Sequence, residues 1–335
     1  FGRGSQAPVV MLSRGMPSRF AGSMVAVSGG AGFIGSHLVR SLVAEGARKV
    51  IILDSLRYGD PSNLAGLGAK VELVPFTLGT DDPGRLPDLL AGVSGLFHLA
   101  AEKHNQSKDE PSRVLRANVE GTQQLFEAAA RVGVSRIVFA SSLYAYGRMS
   151  GPPFQENELP APCTVYGVTK LAGEHLLRTA AQQHGFHWNV VRYMFVYGPR
   201  QFAGMGYKSV IVRNFERMLR GEPVVVYGDG NQTLDYVFVD DAVAATLDMF
   251  WSETSGEVFN IGSGQGITVS RLLQTMQDVG GDRRPMKQGP ADWTAGSCRV
   301  ADISKAREQL GWRPNTGLRE GLERTFQFLR DEQPG

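Results

Sequence analysis

The apolar positions of this chain fall into brief continuous runs separated by longer stretches with helical spacing. Residues 24–28, 49–53, 71–76, 94–99, 136–141 and 189–193 are such runs. Between the first two, residues 33–45 place Ile34, Leu38 and Leu42 on one helical face. Further helices are expected over 112–132 and 165–184. Continuous apolar runs suit strands buried on both faces, and strands alternating with helices build βαβ units around a parallel sheet. The expected class is α/β with a doubly wound parallel sheet.

Past Gly198 the rhythm changes. Residues 209–220 read as a helix stopped by Gly221, and 222–227 as a short strand closed by the turn Gly228-Asp229-Gly230. Residues 240–251, 270–279, 303–310 and 318–330 follow as helices. This pattern predicts a first unit over 23–198 and a smaller mixed α/β C-terminal substrate lobe over 199–332. Residues 235–263 carry strand-like runs able to return to the first sheet. Residues 1–22, rich in Gly, Ser, Arg and Pro and without a signal-peptide core, read as a disordered lead or remnant ahead of the folded unit.

Composition narrows the function. The 335 residues are 42% hydrophobic and 20% charged, with a net charge of +2. That is ordinary globular composition, with no pull toward nucleic acid or an acidic membrane. No apolar stretch approaches the ~20 residues needed to span a bilayer. Two cysteines, Cys163 and Cys298, cannot form a disulfide framework, and a soluble protein of the reducing cytoplasm is expected. Neither the cysteines nor the six histidines show metal-ligand spacing, so no metal is expected.

Chemistry enters at the first strand-to-helix turn. Gly29, Gly32 and Gly35 have GxxGxxG spacing. Glycine there permits a tight turn and close approach of a pyrophosphate to the helix N-terminus, where free N–H groups and the helix dipole favour anions. Asp54 follows Gly35 by nineteen residues, at the end of the second strand. An acid at that point bonds ribose hydroxyls and repels a 2′-phosphate, which favours NAD over NADP. Tyr166 and Lys170 stand at i and i+4, on one helical face. A nearby ammonium and a cationic nicotinamide are expected to lower the phenol from its usual pKa of ~10 toward a working base. Ser142 closes the strand at 136–141, at the carboxyl edge where open α/β sheets place ligands. Asn118, within the helix expected at 112–132, is a candidate for a structural or water-holding role beside them.

With these residues in view, the chain resembles the extended short-chain dehydrogenase/reductases, specifically the nucleotide-sugar epimerase/dehydratase group, and is UDP-glucose 4-epimerase-like. The resemblance rests on GGAGFIGSHL (29–38), FHLAA (97–101), NVEGTQQLFEAA (118–129), SSLYAYG (141–147), YGVTK (166–170), RYMFVYGPRQ (192–201), FNIGSG (259–264) and ADISKAREQLGW (301–312). It implies a Rossmann-type domain, bound NAD, and a homodimer built as a four-helix bundle from the helices at 112–132 and 165–184. It further implies cofactor contacts from Gly29, Gly32, Phe33, Ile34, Gly35, Asp54, Leu99, Ala100, Ala101, Asn118, Tyr166, Lys170 and Tyr193. Ser142, Tyr166, Phe195, Lys208 and Arg299 are expected on the substrate side. The implied activity is epimerisation of a nucleotide-linked sugar at C4 through a transient 4-keto sugar. The alternatives are a dehydratase, decarboxylase or dehydrogenase on the same scaffold, or an atypical non-nucleotide-sugar substrate.

Three departures from the family pattern matter. Dehydratases of this group carry an Asp-Glu pair after the active-site hydroxyl residue, where this chain has Leu143 and Tyr144. An asparagine and an arginine that often meet the substrate diphosphate are replaced by Phe195 and Leu234. Lys208, Arg213 and Arg299 are candidates to supply the missing cation. Thr77 stands where an acid often meets the adenine.

Overall fold

The computed structural model describes residues 18–332, except 148–150, 152, 202–207 and 293. Its thirteen strands among these residues are β1 Met24–Ser28, β2 Lys49–Asp54, β3 Val71–Pro75, β4 Gly95–His98, β5 Arg136–Ser142, β6 His187–Tyr193, β7 Phe195–Tyr197, β8 Val225–Tyr227, β9 Thr233–Phe238, β10 Glu257–Ile261, β11 Gly266–Thr268, β12 Lys287–Gly289 and β13 Cys298–Arg299. Seven of them form one sheet in the order β10-β6-β5-β4-β1-β2-β3, every pair parallel.

The side-chain alternation of the strands explains why both faces are covered. Val25 and Val27 of β1 join one core with Leu38, Leu42, Ala242 and Phe250, while Ala26 joins a second core with Leu125, Phe126 and Leu177. Helices Phe33–Ala44 and Val239–Trp251 thus cover one face, and helices Gly121–Arg131 and Val165–His184 the other. Strand order reverses between β1 and β4. That is the switch point at whose carboxyl edge such sheets leave a crevice.

Of the strand-like runs at 235–263, β10 pairs with β6 at the edge of the seven-stranded sheet. β9 instead pairs with β7, β11 and β13 in a small sheet beside it.

Two expectations need correction. Residues 18–22 are packed: Phe20 is fully buried against Phe250 and Trp251, and Arg19 is ion-paired with Glu45 and Asp248. Residues 1–17 of the expected lead lie outside the described residues. The helix expected over 112–132 is interrupted by a wider π turn, Arg116–Glu120, between Pro111–Leu115 and Gly121–Arg131. Apolar spacing does not report such a turn, which is a common feature near functional sites. Asn118 lies within it.

Candidate active site

The glycine turn is closed on itself. Gly29 takes φ +74°, a left-handed conformation open to glycine, and its N–H donates to Leu53 O at 2.8 Å. A Cβ on Gly35 would lie 2.1 Å from Gly29 O, so helix Phe33–Ala44 packs against the turn only because that side chain is missing. Asp54 faces the same turn. Its carboxylate accepts from the backbone N–H of Ala31 at 3.0 Å and of Leu56 at 2.8 Å. Burial pushes its pKa up, and these two bonds oppose that shift.

These groups border a cleft of about 260 Å³ at the carboxyl edge of β1, β2 and β4. Gly29, Gly32, Phe33, Ile34, Gly35, Asp54, Leu99, Ala100, Ala101, Tyr166, Lys170 and Tyr193 all line it. Thr77 lines it too, its N–H held by Asp81 at 2.9 Å. The fit to a dinucleotide is chemical as well as steric. Side chains are missing where a pyrophosphate would approach, and an acid stands where a ribose would. Asn118 is placed otherwise. Its amide accepts from Glu102 N at 2.7 Å and donates to Glu102 O and Thr169 Oγ1, outside the cleft lining. It fastens the segment after β4 to helix Val165–His184.

Ser142 ends β5, and Tyr166 and Lys170 project from the first turns of helix Val165–His184. The helix is started by Thr164, whose hydroxyl accepts from Gly167 N at 3.0 Å. Tyr166 is hydrogen-bonded to Ser142. Lys170 Nζ donates to Ala140 O at 2.7 Å and lies 5.7 Å from the centre of the Tyr166 ring. Below them Glu174 ties the strands to the helix, accepting two hydrogen bonds from buried Arg192 at 2.9 and 2.7 Å and one from Ser141.

The chain's own groups do not lower the phenol. Burial pushes Tyr166 up to about 12, with the Ser142 hydrogen bond opposing. Burial also pushes Lys170 down to about 7, with Glu174 opposing. The protein's own groups therefore hold the phenol protonated at neutral pH. Desolvation outweighs the Ser142 hydrogen bond.

A second cavity, of about 400 Å³, opens beyond Tyr166 toward the small sheet. Ser142, Tyr166 and Phe195 line it, and so do Leu234 and Tyr144. The candidate cations do not. Lys208 is bound to both oxygens of Glu216 at 2.7 Å, Arg213 packs over the Tyr227 ring at 4.9 Å, and Arg299 lies 5.7 Å from the Tyr144 ring. Lys103, passed over by the sequence reading, lines both cavities, and burial pushes it down to about 8. Its position two residues after FHLAA, beyond the carboxyl end of β4, was the available signal. His104 is also near, its ring stacked 4.3 Å from Tyr144 and driven down to about 4 by burial, with Lys108 and Arg299 adding to the shift.

A family model described as "NAD dependent epimerase/dehydratase family" matches residues 25–262. The chain belongs to that family. Among its relatives is the UDP-glucose 4-epimerase of Mycolicibacterium smegmatis, 35% identical, with 91% of this chain and 98% of that one covered. The crystal structure of Thermotoga maritima UDP-glucose 4-epimerase with UDP-glucose is similar at a TM-score of 0.86 and 35% identity, over 92% of this chain and 99% of that one. The dTDP-glucose 4,6-dehydratase DesIV of Streptomyces venezuelae, solved with NAD, is similar at 0.84 and 30% identity, over 92% and 97%.

Proposed function

We propose that this family member is an NAD-dependent epimerase that inverts C4 of a sugar, with a nucleotide-linked sugar as the substrate class its relatives indicate. One observation carries the reading: Tyr166 lines both the dinucleotide cleft and the second cavity, so a single phenol faces cofactor and substrate. NAD, when bound, supplies the hydride acceptor, the returning hydride and a positive charge that favours the phenolate. Tyr166 takes the proton of the C4 hydroxyl as the C4 hydride departs, leaving a 4-keto sugar. Ser142 hydrogen-bonds the reacting oxygen. Lys170 supports the phenol and the cofactor ribose. With NAD bound, reduction of the 4-keto sugar on its opposite face, with the proton restored from Tyr166, would give the epimer without net redox change.

The same reading takes 23–198 as the cofactor unit and 199–332 as mainly substrate lobe. It also takes the molecule as a cytoplasmic homodimer through the helical segments 112–132 and 165–184. Leu115 and Val168, 44% and 47% exposed on this side, support that association. Elimination chemistry is disfavoured because Leu143 and Tyr144 offer no carboxyl acid or base. A second reading keeps the C4 chemistry and changes what the sugar is attached to; the apolar wall at Phe195 and Leu234 favours it.

The test is incubation with UDP-, GDP-, CDP- and dTDP-sugars and with simple glycosides, followed by NMR. A new C4 epimer is expected, and Tyr166→Phe should slow its formation by roughly 10²–10⁴-fold while NAD binding persists. No stereochemical change with any sugar would sink the proposal.

A further inference from the structure

Two segments meet at the dinucleotide cleft from different strands. One follows β2 and brings Ser55, Tyr58 and Gly59 to the lining; the other follows β4 and brings Glu102 and Lys103. They are joined side chain to side chain. The Tyr58 hydroxyl donates to Glu102 Oε2 at 3.0 Å and accepts from Arg57 Nε at 2.9 Å. Lys103 places its ammonium 4.4 Å from the centre of the Tyr58 ring. Farther out, Arg57 Nη2 donates to Glu110 Oε1 at 2.9 Å. Side-chain exposure grows along this line, from 7% at Glu102 to 32% at Arg57 and 44% at Glu110. The bridge therefore runs from the cleft wall out to solvent and ties the two segments together on the open side of the cleft.

Its two ends are held differently. The Glu102 end is fixed. Its backbone N–H donates to Asn118 Oδ1 at 2.7 Å and its carbonyl accepts from Asn118 Nδ2 at 3.0 Å. Arg113 Nε donates to Glu102 Oε1 at 2.8 Å. The π turn that carries Asn118 thus supplies an anchor. The Tyr58 end follows a strained turn. Leu56 takes φ +57°, a left-handed conformation that a leucine keeps only where its surroundings hold it. The side-chain bonds of Arg57 and Tyr58 are part of that hold.

We propose that the Tyr58–Glu102 and Arg57–Glu110 contacts form a clasp that sets how fast the dinucleotide enters and leaves, with Glu102 and Asn118 as its positioning residues. The proposal needs the dinucleotide site alone and is independent of the C4 reading. The clasped side chains bond to one another, so opening them costs the same for a dinucleotide passing in either direction. Cutting the clasp speeds both steps and leaves the affinity nearly as it was.

Stopped-flow fluorescence of NADH tests this, by mixing for association and by displacement with excess NAD for release. Tyr58→Phe removes one hydroxyl and keeps the ring beside Lys103. It should raise both rates roughly tenfold and keep the dissociation constant within about twofold. Arg57→Ala should move both rates in the same direction. In a Glu102→Ala background Tyr58→Phe should have no further effect, because the bond it removes is already gone. Unchanged rates in both Tyr58→Phe and Arg57→Ala would overturn the proposal. So would faster release with unchanged association, the mark of a side chain that grips the dinucleotide directly. The C4 reading fails differently: NADH exchanges as described, yet no sugar is epimerised.

Discussion

At the scale of single residues, the site is governed by what burial does to ionisable groups. Lys170 has a folded-state pKa of about 7, well below the 10.5 of a free lysine. Between those values the unfolded chain binds more protons than the folded one, so this group makes the protein more stable as pH rises from about 7 toward 10. Below pH 7 both states hold the proton and the burial penalty is complete. Melting temperatures of wild type and Lys170→Met should therefore converge in favour of wild type between pH 7 and 9. A constant difference would show that Lys170 is not desolvated as described. Residue identities were the most readable layer of this site. Gly29, Asp54, Ser142, Tyr166 and Lys170 were all found from spacing and from their places at strand and helix ends. Charge state was not readable, because it depends on how much water is excluded by side chains distant in sequence. Lys103 escaped notice for the same reason. Nothing about an isolated lysine tells which cavity it will face.

At the scale of elements, the strand–turn–helix from Met24 to Ala44 carries the cofactor cleft, and its glycines are not equivalent. A methyl group on Gly35 would press on backbone, Gly29 O at 2.1 Å and Gly30 Cα at 2.8 Å. On Gly32 it would meet Gly29 O at 3.2 Å. Gly35→Ala must push the helix from the strand, costing on the order of 1–3 kcal/mol, whereas Gly32→Ala should cost clearly less. Thermal melts and NAD titrations of both variants check the order; equal losses would contradict this packing. Apolar periodicity predicted the elements well where each has one task. It was silent at Arg116–Glu120, where the widened turn brings Asn118 to the Glu102 backbone. A hydrogen bond to a distant segment, rather than helix spacing, sets the geometry there. Phe20 was lost in the same way: an isolated apolar position in a Gly/Ser/Arg-rich lead has no period, and its burial depends on Phe250 and Trp251 far along the chain.

At the scale of the whole molecule, among the described residues no helix is long and apolar enough to cross a membrane. The exposed apolar side chains Leu115 and Val168 give the proposed dimer a specific test. Light scattering after size exclusion should find a dimer for the unaltered chain and a monomer for Leu115→Glu/Val168→Glu with its melting temperature retained; a wild-type monomer would remove the interface. The arrangement of the two cavities was legible only in outline, as a sheet edge facing a smaller lobe. The wall they hold in common was not, since it draws Phe33, Lys103, Ser141, Tyr166 and Tyr193 from separate elements. That party wall makes the two ligands thermodynamic partners. Whatever steadies it from one side prepares it for the other, so a loaded dinucleotide should raise sugar affinity, and the sugar should tighten dinucleotide binding by an equal free energy. An enzyme that finishes each turnover with its coenzyme restored gains from such reciprocity, because the coenzyme is retained while sugars come and go.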